Sequence, residues 1–117
     1  MGASVSELAR TLLDEGLRMT GHPGIIFRPG PAGRRPGLIG GPDVWEVARI
    51  FTGAQTGGEK AILRAAKLMD LSPEEARTAL NYYADYRDEI DEWIRRVDED
   101  ADMAEAAWRR QRDLLEQ

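Results

Sequence analysis

The stretch Asp70-Leu71-Ser72-Pro73-Glu74-Glu75 fixes the start of a helix more firmly than anything else in this chain. Ser72 can accept from the amide of Glu75 while Glu75 reaches back to the amide of Ser72, a reciprocal capping box. Pro73 falls at the first helical position, where its missing N–H costs nothing. Glu74 and Glu75 then sit against the positive end of the helix dipole. Just upstream, Glu59 to Met69 carries Ala61, Ile62, Ala65, Ala66, Leu68 and Met69, an apolar face with helical spacing. Its alanines suit close helix-to-helix packing. Only Asp70 and Leu71 separate the two segments, so the outline is a helix-turn-helix.

From Glu74 onward neither glycine nor proline occurs. Ala76, Ala79, Leu80, Tyr83, Tyr86, Ile90, Trp93, Ile94 and Val97 recur in steps of three and four, a heptad-like seam that leaves Tyr82 to one side and exposed. The seam thins across Asp98-Glu99-Asp100-Ala101-Asp102 and resumes at Met103, Ala104, Ala107, Trp108, Leu114 and Leu115. The helix either continues through this stretch or breaks near Asp100. A thin apolar stripe gains little by folding alone, so 98–117 reads as an arm that becomes helical against a partner.

Before this body, Ser4 to Met19 places Val5, Leu8, Ala9, Leu12, Leu13 and Leu17 on one helical face, with Ser4 or Ser6 as cap and Gly21 as terminator. The simplest reading is an amphipathic helix docked by that face. Its Val5-Ser6-Glu7-Leu8-Ala9-Arg10 phrase also resembles the second helix of a ribbon-helix-helix protein, of which only a remnant would be present. Ile25 to Arg28 is β-branched and aromatic, Pro29 to Gly33 is turn chemistry, and Arg34 to Gly41 can supply a return strand. Pro36 confines that strand to an edge. Asp43 can cap a short helix over Val44–Phe51, which the glycine-punctuated loop 52–58 ends. Gly57-Gly58 is no phosphate loop, since no Gly-Lys-Ser/Thr follows.

Charge separates the chain's two ends. Residues 21–42 hold Arg28, Arg34 and Arg35 and no acid, whereas 88–117 hold five arginines against eleven acids. The total is 16 basic and 21 acidic residues, net −5, which speaks against a simple nucleic-acid binder. With no cysteine, disulfides, thiolate metal sites and cysteine nucleophiles are excluded together, which fits a reducing cytoplasm. No apolar run approaches the roughly 20 residues needed to span a bilayer. No basic start followed by an apolar block marks a secretory signal.

Catalysis finds little support. His22 is the only histidine, so no His-based triad or multi-histidine metal site can be built, and beside Pro23-Gly24 it reads as structural. The acids around Asp98 lack the glycine turn of a calcium loop. No cofactor or metal is expected. Arg34 and Arg35 can contact phosphate or pair with acids. Trp108, a large aromatic with little core around it, fits a partner contact together with Arg109, Leu114 and Leu115.

The runs His22-Pro-Gly-Ile-Ile-Phe-Arg28, Gly33-Arg-Arg35, Gly41-Pro-Asp-Val-Trp-Glu-Val47 and Leu71-Ser-Pro-Glu-Glu-Ala-Arg-Thr-Ala-Leu-Asn-Tyr-Tyr83 resemble the DUF433 proteins, over roughly 21–91. That resemblance implies a hairpin followed by a helix-turn-helix, and the role of antitoxin in a type II toxin–antitoxin pair whose toxin is a PIN-like nuclease. In a helix-turn-helix the start of the second helix meets base edges. Here it carries Glu74 and Glu75, so operator contact would fall to Arg77, Thr78 and Asn81, assisted by Arg34 and Arg35 on a homodimer.

The expected architecture is mainly α: an N-terminal amphipathic helix (1–21), a small β-hairpin plus helix-turn-helix body (22–97), and an acidic helical arm (98–117). The expected function is a non-enzymatic, cytoplasmic antitoxin; the alternative is an interaction or scaffold module that binds protein only.

Overall fold

The structure is a computed structural model that describes residues 4–53 and 57–117. Among the described residues, five helices and one hairpin follow in the order α1 (Val5–Gly21), β1 (Ile25–Arg28), β2 (Arg35–Leu38), α2 (Val44–Gly53), α3 (Glu59–Met69), α4 (Pro73–Asp85) and α5 (Arg87–Leu115). The mainly helical architecture with an early hairpin and a long last helix is the expected one. α2 runs past Phe51, and the centre of the anticipated loop, 54–56, lies outside the described residues.

The capping box forms as anticipated. Ser72 Oγ accepts from the Glu75 amide at 3.1 Å, and Glu75 Oε1 accepts from the Ser72 amide at 3.0 Å. Asp70 ends α3 in the left-handed region, φ 54°, which an aspartate tolerates better than most residues. The turn lets Ala61, Ala65 and Ala66 of α3 lie close to Ala76 and Ala79 of α4, all of them buried. β1 and β2 pair antiparallel with Phe27 opposite Pro36 and Arg28 opposite Arg35. The core lies where the hairpin meets α2, α4 and the start of α5, around Ile25, Leu38, Val44, Val47, Tyr82 and Ile90.

Asp43 performs a different task from the one its sequence position suggests. Its carboxylate does not cap α2; it accepts from Arg28 Nη2 at 2.7 Å, Arg35 Nε at 2.5 Å and Trp45 Nε1 at 3.2 Å. The register explains this, because Arg28 and Arg35 are direct cross-strand neighbours whose charges need one shared acid. Arg28 Nη1 also donates to the Leu38 carbonyl and Arg35 Nη1 to that of Pro29, so the node ties both ends of the hairpin to α2.

The helical pattern from Ser72 breaks at Tyr86, φ −127° and ψ 40°, without glycine or proline. The corner is held by side chains rather than by backbone-breaking residues. The Tyr82 and Tyr86 rings lie 4.6 Å apart, the Tyr83 hydroxyl donates to Asp91 at 2.6 Å, and His22 Nε2 meets Asp85 at 2.8 Å. Tyr82, which a straight seam would leave exposed, is therefore wholly buried beneath the hairpin and His22. The turn also brings Ile90 and Ile94 of α5 onto the core.

α1 docks in the opposite sense to its amphipathic pattern. Its inward contacts are polar: buried Glu15 accepts from Arg34 Nε at 2.6 Å, and Arg18 forks onto Glu89 at 2.7 and 2.9 Å. Arg18 also donates to the Tyr82 hydroxyl and lies 4.0 Å over the Tyr86 ring. Val5, Leu8, Leu12, Leu13 and Leu17 face outward, each at least half exposed. Helical spacing identifies a face but not the side on which its partner lies.

Candidate interaction site

α5 continues through Asp98–Asp102 without interruption, so residues on either side of 97/98 belong to one helix. Its first half rests on the body, where Arg49 Nη2 donates to Asp98 Oδ1 at 2.5 Å. Beyond Asp100 every residue is exposed except Ala107, which is half-buried. This free part spans roughly 20 Å at 1.5 Å per residue. Exposed charge pairs such as Arg95 with Glu92 and Glu99, and Arg109 with Glu105, brace the helix along its own surface. Trp108 is 56% exposed and lies 4.9 Å from the Arg112 guanidinium. Leu114 and Leu115 are exposed at the tip, Met103 is exposed nearer the body, and Arg109 is taken up by Glu105.

The anticipated nucleic-acid residues are dispersed. Arg34 is spent on Glu15, whose carboxylate keeps its guanidinium firmly protonated, and Arg35 is spent on Asp43. Arg77 forks onto Glu59 at 3.0 and 2.9 Å, tying the start of α3 to α4 and holding the Glu59 carboxyl below its usual range. Thr78 is half-buried, donates its hydroxyl to the Glu74 carbonyl at 3.0 Å, and lies against Gly24. Asn81 is exposed on α4. Arg77 and Asn81 share the outer side of the helix-turn-helix, whereas Arg34 and Arg35 are built into the hairpin.

Sequence reasoning passed over one feature of the same unit. Lys60, Arg64 and Lys67 are exposed and follow the i, i+4, i+7 spacing of one face of α3. That spacing is readable in the sequence, on the side of α3 opposite its alanines. The basic stripe flanks the Arg77–Glu59 pair and supplies three of the six basic residues that balance six acids across 44–87.

A concavity of about 290 Å³ lies where α5 meets the hairpin, lined by Phe27, Pro36, Ile90 and Trp93 together with the charged Arg34, Glu89, Glu92 and Arg96. A smaller cleft of about 90 Å³ follows along the helix, lined by Ala32, Trp93, Arg96, Val97 and Asp100. No cluster of three or more metal-ligating side chains occurs among the described residues. Nor is any described helix long and apolar enough to cross a membrane.

No family model matches this chain, and the search for curated relatives and solved structures gives no significant match.

Proposed function

We propose that this chain is a non-enzymatic, antitoxin-like protein of the cytoplasm whose C-terminal arm covers a basic partner protein, a PIN-like nuclease in the reading that the DUF433 resemblance favours. One observation carries the proposal: α5 leaves the body as a free helix bearing dense acid and an exposed Trp108. Five acids, Asp98, Glu99, Asp100, Asp102 and Glu105, precede the tryptophan with no intervening base. Opposite charge speeds encounter and selects the partner, and a desolvated aromatic anchor supplies much of the affinity. Trp108 is the anchor in this account, with Leu114, Leu115 and Arg109 around it.

Operator binding is a second part of the proposal, and the exposed stripe Lys60, Arg64 and Lys67 supports it beside Arg77 and Asn81. Glu74 and the net charge of −5 oppose it, so any DNA contact is weak in a single copy and gains from a dimer. The runner-up, a scaffold that binds protein only, shares the arm and lacks the DNA contact.

Co-expression with the product of the adjacent gene tests the proposal. The expected result is co-purification of the two and relief of any growth arrest that the neighbour causes alone. A neighbour that neither binds nor harms the cell would overturn the antitoxin reading.

A further inference from the structure

The seam of α5 does not end where the body ends. Ile90, Ile94, Val97, Ala101, Ala104, Trp108, Gln111 and Leu115 follow one another in alternating steps of four and three, the a/d rhythm of a left-handed coiled coil. Ile90 is buried and Ile94 and Val97 half-buried against the body, whereas Ala101, Ala104, Trp108, Gln111 and Leu115 are exposed. One row thus passes from a covered stretch into an uncovered one within a single unbroken helix.

We propose that, without another partner, two copies of this chain cover each other by pairing their α5 arms antiparallel, about a two-fold axis near Ala106. Size and charge both select this arrangement. Antiparallel pairing about that point sets Trp108 opposite the second copy's alanine at 104, Ala101 opposite its glutamine at 111, and Val97 opposite its leucine at 115. Each large side chain then meets a small one, as close packing requires. A parallel pair in register would oppose tryptophan to tryptophan and leave two successive alanine layers hollow.

Charge gives the same answer. Residues 98–105 carry five acids and no base, whereas Arg109, Arg110 and Arg112 cluster near the tip against Asp113 and Glu116. The antiparallel pair lays each acidic half on the other copy's arginines; the parallel pair stacks acid on acid. The geometry also provides a seat for the tip, because Val97, opposite Leu115 in this register, lines the cleft of about 90 Å³ with Ala32 and Trp93. The seam has two alanines and one glutamine, so the pair is weak and reversible, and a toxin could displace one copy from the other. This pairing goes beyond the antitoxin reading and needs no toxin.

The absence of cysteine makes the register directly testable on the full chain. Ala101→Cys and Gln111→Cys each alter one exposed arm residue and leave the body untouched. In the antiparallel register 101 faces 111, whereas 101 lies about 15 Å along the axis from its own copy, too far to bridge. Mild oxidation of the mixed variants should give a disulfide-linked dimer, and each variant alone should stay unlinked. Sedimentation of the unmodified chain should show concentration-dependent dimer, weakened about tenfold or more by Trp108→Ala. Self-linking of either variant alone, absence of the mixed product, or a monomer at every concentration overturns the proposal. Because no toxin enters the experiment, its failure leaves the antitoxin reading standing, and the reverse also holds.

Discussion

Asp43→Asn is the perturbation on which the account of the hairpin depends most. The side chain is 8% exposed and its two oxygens serve two arginines and an indole. Asparagine keeps the shape but loses the charge, so one guanidinium retains an acceptor and the other faces an amide donor. Losing one charge-assisted bond removes about 1.5–3 kcal/mol. Leaving two neighbouring cations uncompensated adds to that, up to the roughly 3–5 kcal/mol typical of a broken buried pair. Arg28 and Arg35 are 26% and 29% exposed, so water recovers part of the loss. A net cost of about 2–3 kcal/mol follows, which in a body of this size lowers Tm by roughly 8–12 °C. Tryptophan fluorescence reads the melt directly, since the Trp45 indole bonds the same carboxylate. Urea unfolding supplies the free energy, and a cycle with Arg28→Ala should show strong non-additivity. A Tm within about 2 °C of the parent, or additive cycles, would refute the role of this node.

Three further outcomes follow from individual contacts. Ser72→Ala removes the oxygen that accepts from the Glu75 amide and should cost about 1 kcal/mol in urea unfolding. Glu89 has its carboxyl held below the usual range by the Arg18 guanidinium, so the folded chain binds fewer protons there than the unfolded one. That contribution is full above the unfolded value of about 4.3 and is lost as pH falls through the lower folded value, so Glu89→Gln should flatten the acid limb of a stability–pH curve and leave the neutral region level. Replacing Lys60, Arg64 and Lys67 together with alanine should abolish any low-salt shift of promoter DNA, while Arg34→Ala should act chiefly on stability through Glu15; an unchanged DNA shift in the triple variant would remove α3 from the interface.

What was legible in the sequence is what local chemistry alone determines. Ser72, Pro73 and Glu75 specify a helix start wherever they occur, and Pro29–Gly33 after the β-branched Ile25-Ile26 specifies a turn. The edge position of Pro36 followed from its missing N–H. The corner at Tyr86 was not legible, because nothing in the backbone chemistry of Ala84-Asp85-Tyr86-Arg87 forbids a helix there. It exists through contacts that Tyr82, Tyr86, His22 and Arg18 make across the fold, and it reverses the expected exposure of Tyr82. α1 failed for a related reason: its apolar spacing was real, but the body offered Arg34 and Glu89 rather than an apolar groove. Arg34 and Arg35 were visible as a basic pair at a hairpin tip, yet their acids lie in other elements, at Glu15 and Asp43. The arm shows the converse, since its heptad steps and acidic run lie within one helix and need no tertiary contact to be seen.

Binding of the neighbouring gene product to the full chain and to a chain ending at Val97 tests the central claim most directly. Calorimetric titration with both, beside a thermal melt of each, separates the arm from the body. The account predicts that the shortened chain keeps its melt and loses the partner, and that Trp108→Ala in the full chain weakens binding by about tenfold or more, as loss of a buried aromatic anchor does. Undiminished affinity in the shortened chain would contradict it.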